Sequence, residues 1–403
     1  MTMAPLFRIL FLILGGAALA IALFVSISSL TLSPQVATIA PNTQIAAVPA
    51  SQETPTTTPA TSTPKASAAT SAPATHPATT TKKPAPNQQP ASSNTTNTAQ
   101  QSHNTDPNRV VRVQDPYPYP PETSAQVNLS ARAALVNILC TPRSGGTLRP
   151  ISGSGVVIDP RGVILTNAHV AQYVLLSQDP RVDLSCFVRG GSPARAHWVP
   201  TVVYLPPVWI TEHANELNTE HPTGTGEHDY ALLLASMTTD GTAPTLPFSY
   251  LPFDAREGIA FQDDQVLAAS YPAEFLGGLA AQNDLYPASS VTTIGQLLTF
   301  NSGTIDILSL GGIIEAQSGS SGGAVANSWG KLVGIITTTS EGTTTASRDL
   351  RAVTLSYINR DIAAQSGKSL EQILQGDVFA EASDFNATEE TPLANLLIAQ
   401  ITK

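Results

Sequence analysis

Charge is scarce in the first quarter of this chain. Between Arg8 and Lys65 there is no Lys or Arg, and residues 1–108 hold only Glu53 and Asp106 as acids. Residues 33 to 108 also have almost no large apolar side chains, being mostly Thr, Ala, Pro, Ser, Asn and Gln. Such a stretch cannot bury enough surface to offset its chain entropy, which excludes a packed domain there. Cations are the minority in the rest as well. Residues 109–403 carry 16 Lys and Arg against 28 Asp and Glu, a net charge of −12, which argues against a nucleic-acid partner. Cysteine is limited to Cys140 and Cys186, so only one intramolecular pairing is possible, with two buried free thiols as the alternative.

Against that background one apolar run stands out. From Ile9 to Ile27 the sequence ILFLILGGAALAIALFVSI has no charge and is long enough to cross a bilayer as a helix of about 20 residues. A cleaved signal peptide ending near Ala18-Leu19-Ala20 is the alternative, but the apolar run continues past it. The cationic residue before the span and the absence of any just after it place the N-terminus in the cytoplasm and the C-terminal bulk outside. The expected organisation is a short cytoplasmic N-terminus (1–8), a transmembrane anchor (9–30), a disordered Pro/Thr/Ala-rich linker (31–108), a folded head (109–375) and a C-terminal tail (376–403). As a flexible coil the 76 residues from 33 to 108 span roughly 50 Å. A glycosylated stalk, with the sequon Asn94-Thr95-Thr96, would serve the same mechanical role.

The head reads as short Val/Ile/Leu/Thr-rich runs separated by Gly, Pro, Asn and Asp. The first six are ALVNILC, SGSGVVID, GVILTNA, LSCFVRG, WVPTVVYLP and DYALLLA. After a Pro-rich stretch around Thr242 to Phe253 come QVLAASY, VTTIGQLL, TIDILSL, GAVAN, KLVGIITTT and AVTLSY. Two sets of six predict an all-β head of two six-stranded antiparallel barrels, over about 128–240 and 255–360. One helical pattern follows, from about Ile358 to Leu374.

Three short motifs could carry acyl-transfer chemistry, which needs a nucleophile, a base, a group to orient the base, and donors for an oxyanion. Ser321 lies in Gly319-Ser320-Ser321-Gly322-Gly323, where glycines allow a tight turn and leave the Gly319 and Ser321 amides able to converge. His169 in GVILTNAHV directly follows a strand-like run, and Asp229 in GEHDYALLLA precedes one. Taken singly, each has a bland explanation: a Gly/Ser turn, a structural histidine, a strand-start aspartate.

Together, in the order His, Asp, Ser, these motifs resemble the trypsin-like (chymotrypsin-fold) serine proteases, and TNAHV resembles their bacterial high-temperature-requirement branch. The resemblance spans roughly Ala131 to Ile362. It implies that Ser321 attacks a peptide carbonyl, His169 moves the proton, Asp229 orients the imidazole, and the amides of Gly319 and Ser321 form the oxyanion hole. It further implies that Thr337, Thr338 and Thr339 pair with substrate backbone, that Glu315, whose default reading is a solvated loop carboxylate, stands at the base of the specificity pocket, and that Cys140 and Cys186 bridge the first and fourth strands. Ser320 replaces the aspartate that senses a new N-terminus in digestive members, so no activating cleavage is expected. About fifty residues follow the last strand, too few for a PDZ domain, and the C-terminal helix is expected to pack on the second barrel.

The histidines and acids of Thr211–Asp229, including His213, His221 and His228, lack the HExxH spacing and read as a solvated loop, so neither metal nor cofactor is expected. The leading expectation is a membrane-tethered, extracytoplasmic serine endopeptidase acting on protein or peptide. The alternatives are a catalytically silent, protease-like peptide-binding module and a purely structural stalk head.

Overall fold

The computed structural model describes residues 110–402, apart from 145–147, 218, 220–223, 275, 277, 301–302 and 341. The expected membrane span and linker, and His221, lie outside the described residues. Among those described, no helix is long and apolar enough to cross a membrane.

The first six runs form a closed antiparallel barrel. Its strands are β1 (Leu135–Pro142), β2 (Ile151–Asp159), β3 (Val163–Thr166), β4 (Leu184–Gly190), β5 (Arg195–Tyr204) and β6 (Ala231–Thr238), in the order β1-β2-β3-β6-β5-β4. The β2–β3 turn shows how local sequence sets the path. Asp159-Pro160-Arg161-Gly162 supplies an acid that caps its own turn by accepting from the Arg161 amide at 2.8 Å, a proline with preset φ, and a glycine at φ 92°. Cys140 and Cys186 stand opposite each other on β1 and β4 and form a disulfide. In the chain-entropy model a bridge with this sequence separation of 46 contributes about 4 kcal/mol.

The second set does not form a six-stranded barrel closed by hydrogen bonds. It is a seven-stranded sheet in the order β8-β7-β11-β12-β13-β10-β9. The strands are β7 (Gln265–Ser270), β8 (Ala288–Thr293), β9 (Gln296–Leu298), β10 (Ile307–Gly311), β11 (Ala324–Asn327), β12 (Leu332–Thr339) and β13 (Leu350–Thr354). The extra strand comes from VTTIGQLL, which breaks at Ile294-Gly295. There the Ile294 amide turns to Asp264 O and the Gly295 amide to Ser309 O, so the first half pairs with β7 and the second with β10. The two edges of the sheet are thus joined by two residues of chain.

Helices are more numerous than expected. α1 (Ser124–Ala134) enters through a Thr123/Gln126 capping box, α2 (Ala168–Gln178) follows β3, and α3 (Pro207–His213) and α4 (Gly278–Asn283) are short. The single C-terminal helix and tail are replaced by four helices: α5 (Leu355–Ser366), α6 (Leu370–Gln375), α7 (Val378–Thr388) and α8 (Glu390–Ile401). Gly367, at φ 76°, ends α5, and the Ser369 capping box starts α6. Only part of this set covers the second sheet. Leu355, Ile358 and Ile362 of α5 join a core with Ile335 and Val353 of β12 and β13, whereas Phe385 of α7 and Leu393 and Leu397 of α8 are buried with Leu175, Leu205 and Ile210 of the first barrel's side. The spacing Leu393, Leu397, with Ile401 beside them, puts one apolar face of α8 on α2 and α3.

Candidate active site

His169 does not end a strand. β3 stops at Thr166, Asn167 takes an extended conformation, and His169 sits in the first turn of α2. A helix held by Val170, Ala171, Val174 and Leu175 in the barrel core fixes that turn. Asp229, just before β6 and 5% exposed, grips the same turn twice. Its Oδ1 accepts from the His169 amide at 3.0 Å, and its Oδ2 lies 2.8 Å from His169 Nδ1. The Asp229 carbonyl accepts from Asn167 Nδ2 at 2.8 Å, so backbone and side chain are both held. A third donor crosses from the second sheet, where Thr337 Oγ1 on β12 gives its proton to Asp229 Oδ2 at 2.8 Å.

The electrostatics follow from this arrangement. Burial alone would push the His169 imidazole toward its neutral form, yet the Asp229 charge and hydrogen bond outweigh it and raise its pKa. Burial would likewise raise Asp229, but His169 and the hydrogen bonds it receives hold its carboxyl below the ordinary range. The pair is a charged carboxylate aligning an imidazole through Nδ1, which leaves Nε2 as the working nitrogen.

Ser321 lies in the loop between β10 and β11. Two left-handed glycines shape that loop: Gly319 at φ 92° and Gly322 at φ 85°. A β-carbon on Gly319 would stand 2.8 Å from Tyr271 O, and one on Gly322 would collide with Ser154 O and the Thr166 hydroxyl. The glycines therefore serve both turn and close approach. Ser154, in the middle of β2, ties the loop to the first barrel. Its amide donates to Ser321 O at 2.7 Å, and its hydroxyl donates to Gly319 O at 2.7 Å while accepting from the Tyr271 amide at 2.9 Å. Ser320, where the digestive enzymes carry aspartate, is buried and accepts from the Ser270 hydroxyl at 2.9 Å.

These contacts bring Ser321 to the end of β3 from which α2 and His169 begin. Among the described residues the Gly319 and Ser321 amides meet no acceptor, and Ser321 Oγ makes no hydrogen bond to His169. Apo sites of this kind often show the nucleophile–base bond long.

Of the other expected site residues, Thr337 is buried and committed to Asp229, which sequence reasoning had not foreseen. Thr338 and Thr339 continue β12 and pair with Arg351 and Leu350 of β13, while the β11 pairing ends at Ile335. Glu315 is no solvated loop residue. It is fully buried, neither carboxylate oxygen makes a well-formed hydrogen bond among the described residues, and burial raises its pKa against a weaker opposing effect of Ser290. His213 stacks on Trp209 and His228 bonds Asp361, so neither belongs to a mobile loop. Among the described residues no three His, Cys, Asp or Glu are grouped to hold a metal ion. Ser154 was missed, since a serine near Ser152 and between two glycines is an ordinary residue until its partners are seen.

Residues 153–335 match the family model described as a trypsin-like peptidase domain. No curated protein matches the chain. Among solved structures, a serine endoprotease from Yersinia pestis is similar at 23% identity, over 64% of this chain and 68% of that one, with a TM-score of 0.37. Deg5 is similar at 16% identity, over 61% of this chain and 95% of its own, with a TM-score of 0.39.

Proposed function

We propose that this chain, whose residues 153–335 match the trypsin-like peptidase domain model, is a serine endopeptidase working through Ser321, His169 and Asp229. The observation that carries this reading is the Asp229 carboxylate holding His169 by amide and ring at once, beside a loop whose Gly319 and Ser321 amides have no acceptor among the described residues. In the reaction, Ser321 Oγ attacks the peptide carbonyl as its proton passes to His169 Nε2. The developing oxyanion takes the two free amides, and the imidazolium, stabilised by Asp229, returns the proton to the leaving amine. Water then repeats the sequence on the acyl-enzyme. The substrate chain extends along Thr337–Thr339, where β12 has passed the end of its β11 pairing. Glu315 is the acid that a basic P1 side chain would meet, since a cation entering beside it would restore the charge that burial suppresses.

The apolar run Ile9–Ile27 anchors the head to the membrane on the extracytoplasmic side, and the Cys140–Cys186 bond suits such an oxidising compartment. The test is labelling of the full-length protein with a fluorophosphonate probe, beside Ser321→Ala and His169→Ala. Covalent label on Ser321 in the unaltered protein, lost in both variants, is expected. A folded protein that takes no label would instead favour a peptide-binding module without turnover.

A further inference from the structure

Asp229 is flanked by two residues whose side chains end on one carboxylate. His228 Nδ1 lies 2.8 Å from Asp361 Oδ2, and the Tyr230 hydroxyl donates to that same oxygen at 2.8 Å. Asp361 belongs to α5, outside both sheets and outside the matched residues 153–335. A further α5 residue completes the grip, with the Tyr357 hydroxyl accepting from the His228 amide at 3.1 Å. Gln365 Nε2 also donates to Asp361 Oδ2, at 2.6 Å. His228 is held at φ 58°, a left-handed conformation that a β-carbon disfavours and that its neighbours must maintain. The helix thus fixes the backbone on both sides of Asp229.

We propose that Asp361 and His228 are positioning residues for the Asp229 carboxylate, through which the C-terminal helix α5 sets the orientation of His169. The proposal rests on the peptidase reading of the site. Neither residue touches the reacting atoms. Their effect passes through the backbone of residues 228–230 to the two hydrogen bonds that Asp229 makes with His169.

The pair also confers a pH dependence. The charged and titratable groups facing His228 are Asp361 and Tyr357 from α5, Glu212 from α3, and Glu227 and Tyr230 from its own segment. The Asp361 hydrogen bond leads the causes that raise His228, ahead of opposing burial, and the charges of Asp361, Glu227 and Glu212 add to it. A raised folded pKa means that the pair's contribution is complete below the unfolded value of about 6.5 and is lost as pH rises through the folded value. His169 acts in the opposite sense, since it must be neutral to serve as base. Reactivity should therefore climb as His169 deprotonates, and the charge on the His228–Asp361 contact adds a second pH-dependent contribution to it.

Two readouts on the full-length protein test this. The first is the downfield proton NMR signal of the His169 Nδ1–H bonded to Asp229, compared between the unaltered protein and Asp361→Asn. A shift or broadening of that signal is expected, and an unchanged signal would overturn the proposal whether or not the protein is an enzyme. The second is the fluorophosphonate labelling rate from about pH 5 to 10. Asp361→Asn should lower the maximal rate by on the order of 10- to 100-fold at unchanged half-saturating probe concentration and change the shape of the pH profile. His228→Asn, which tolerates the left-handed backbone and still donates to Asp361 without titrating, should keep most of the rate and remove the His228 contribution from the pH profile. A lower melting temperature in Asp361→Asn with an unaltered rate and pH profile for the folded protein would make the pair structural only, and the proposal would fail. Absence of labelling in the unaltered protein would count against the peptidase reading, and the NMR signal would then decide the positioning role by itself.

Discussion

Ser154 is the residue on which the candidate site converges. Through one amide and one hydroxyl it holds Ser321 O, Gly319 O and the Tyr271 amide, and its carbonyl accepts from Thr166 Oγ1 at 2.7 Å. Ser154→Ala would leave Gly319 O and the Tyr271 amide without that hydroxyl in a buried place, at about 1–3 kcal/mol. Urea denaturation should show that loss of stability. Because Gly319 O would no longer be fixed, the neighbouring amide should lose its aim, and labelling of Ser321 should slow by more than stability alone explains. The three residues bearing the proposed chemistry were legible in the sequence because each adjoins an apolar strand run and the three occur in one required order. Ser154 and Asp361 were not, nor was the bond from Thr337 to Asp229, since a serine or threonine in a strand and an aspartate in a helix are ordinary until partners such as Gly319 and Asp229, 165 and 108 residues away, are seen.

At the scale of elements, the reading of the sequence succeeded where hydrophobic period alone decides the outcome and failed where tertiary contacts do. The six runs of the first barrel are six strands. VTTIGQLL has a strand's composition throughout, and only the change of partner at Ile294-Gly295 divides it. Residues 376–403 read as a tail because α7 and α8 are short and rich in alanine and acids, yet Leu393 and Leu397 form a buried seam. Leu397→Ala should therefore cost about 2–5 kcal/mol. Chemical denaturation measures it, and a change under about 0.5 kcal/mol, as at an exposed site, would mean that α8 does not hold the first barrel.

For the whole molecule, the proposed division is between an anchored N-terminus and a folded head. Brief trypsin digestion of membranes containing the protein should cut first after Lys65, Lys82 or Arg109 and release a soluble fragment that still takes the fluorophosphonate label. First cuts inside 110–403, or a head that stays with the membrane after cleavage, would count against the tether. Within the head, Arg360 of α5 is engaged by two acids, the buried Asp306 and Glu257.

The seating of α8 on α2 has a consequence for how the protein is made. About two hundred residues separate Gln178 from Glu390, and at roughly 5–20 residues per second a ribosome needs on the order of 10–40 s to make them. Throughout that interval the helix that carries His169 lacks its outer cover, and for most of it the carboxylate of Asp361 has not yet been synthesised. The polypeptide is therefore incapable of a finished site until its final segment has emerged, so a nascent or prematurely terminated chain should be harmless to its neighbours.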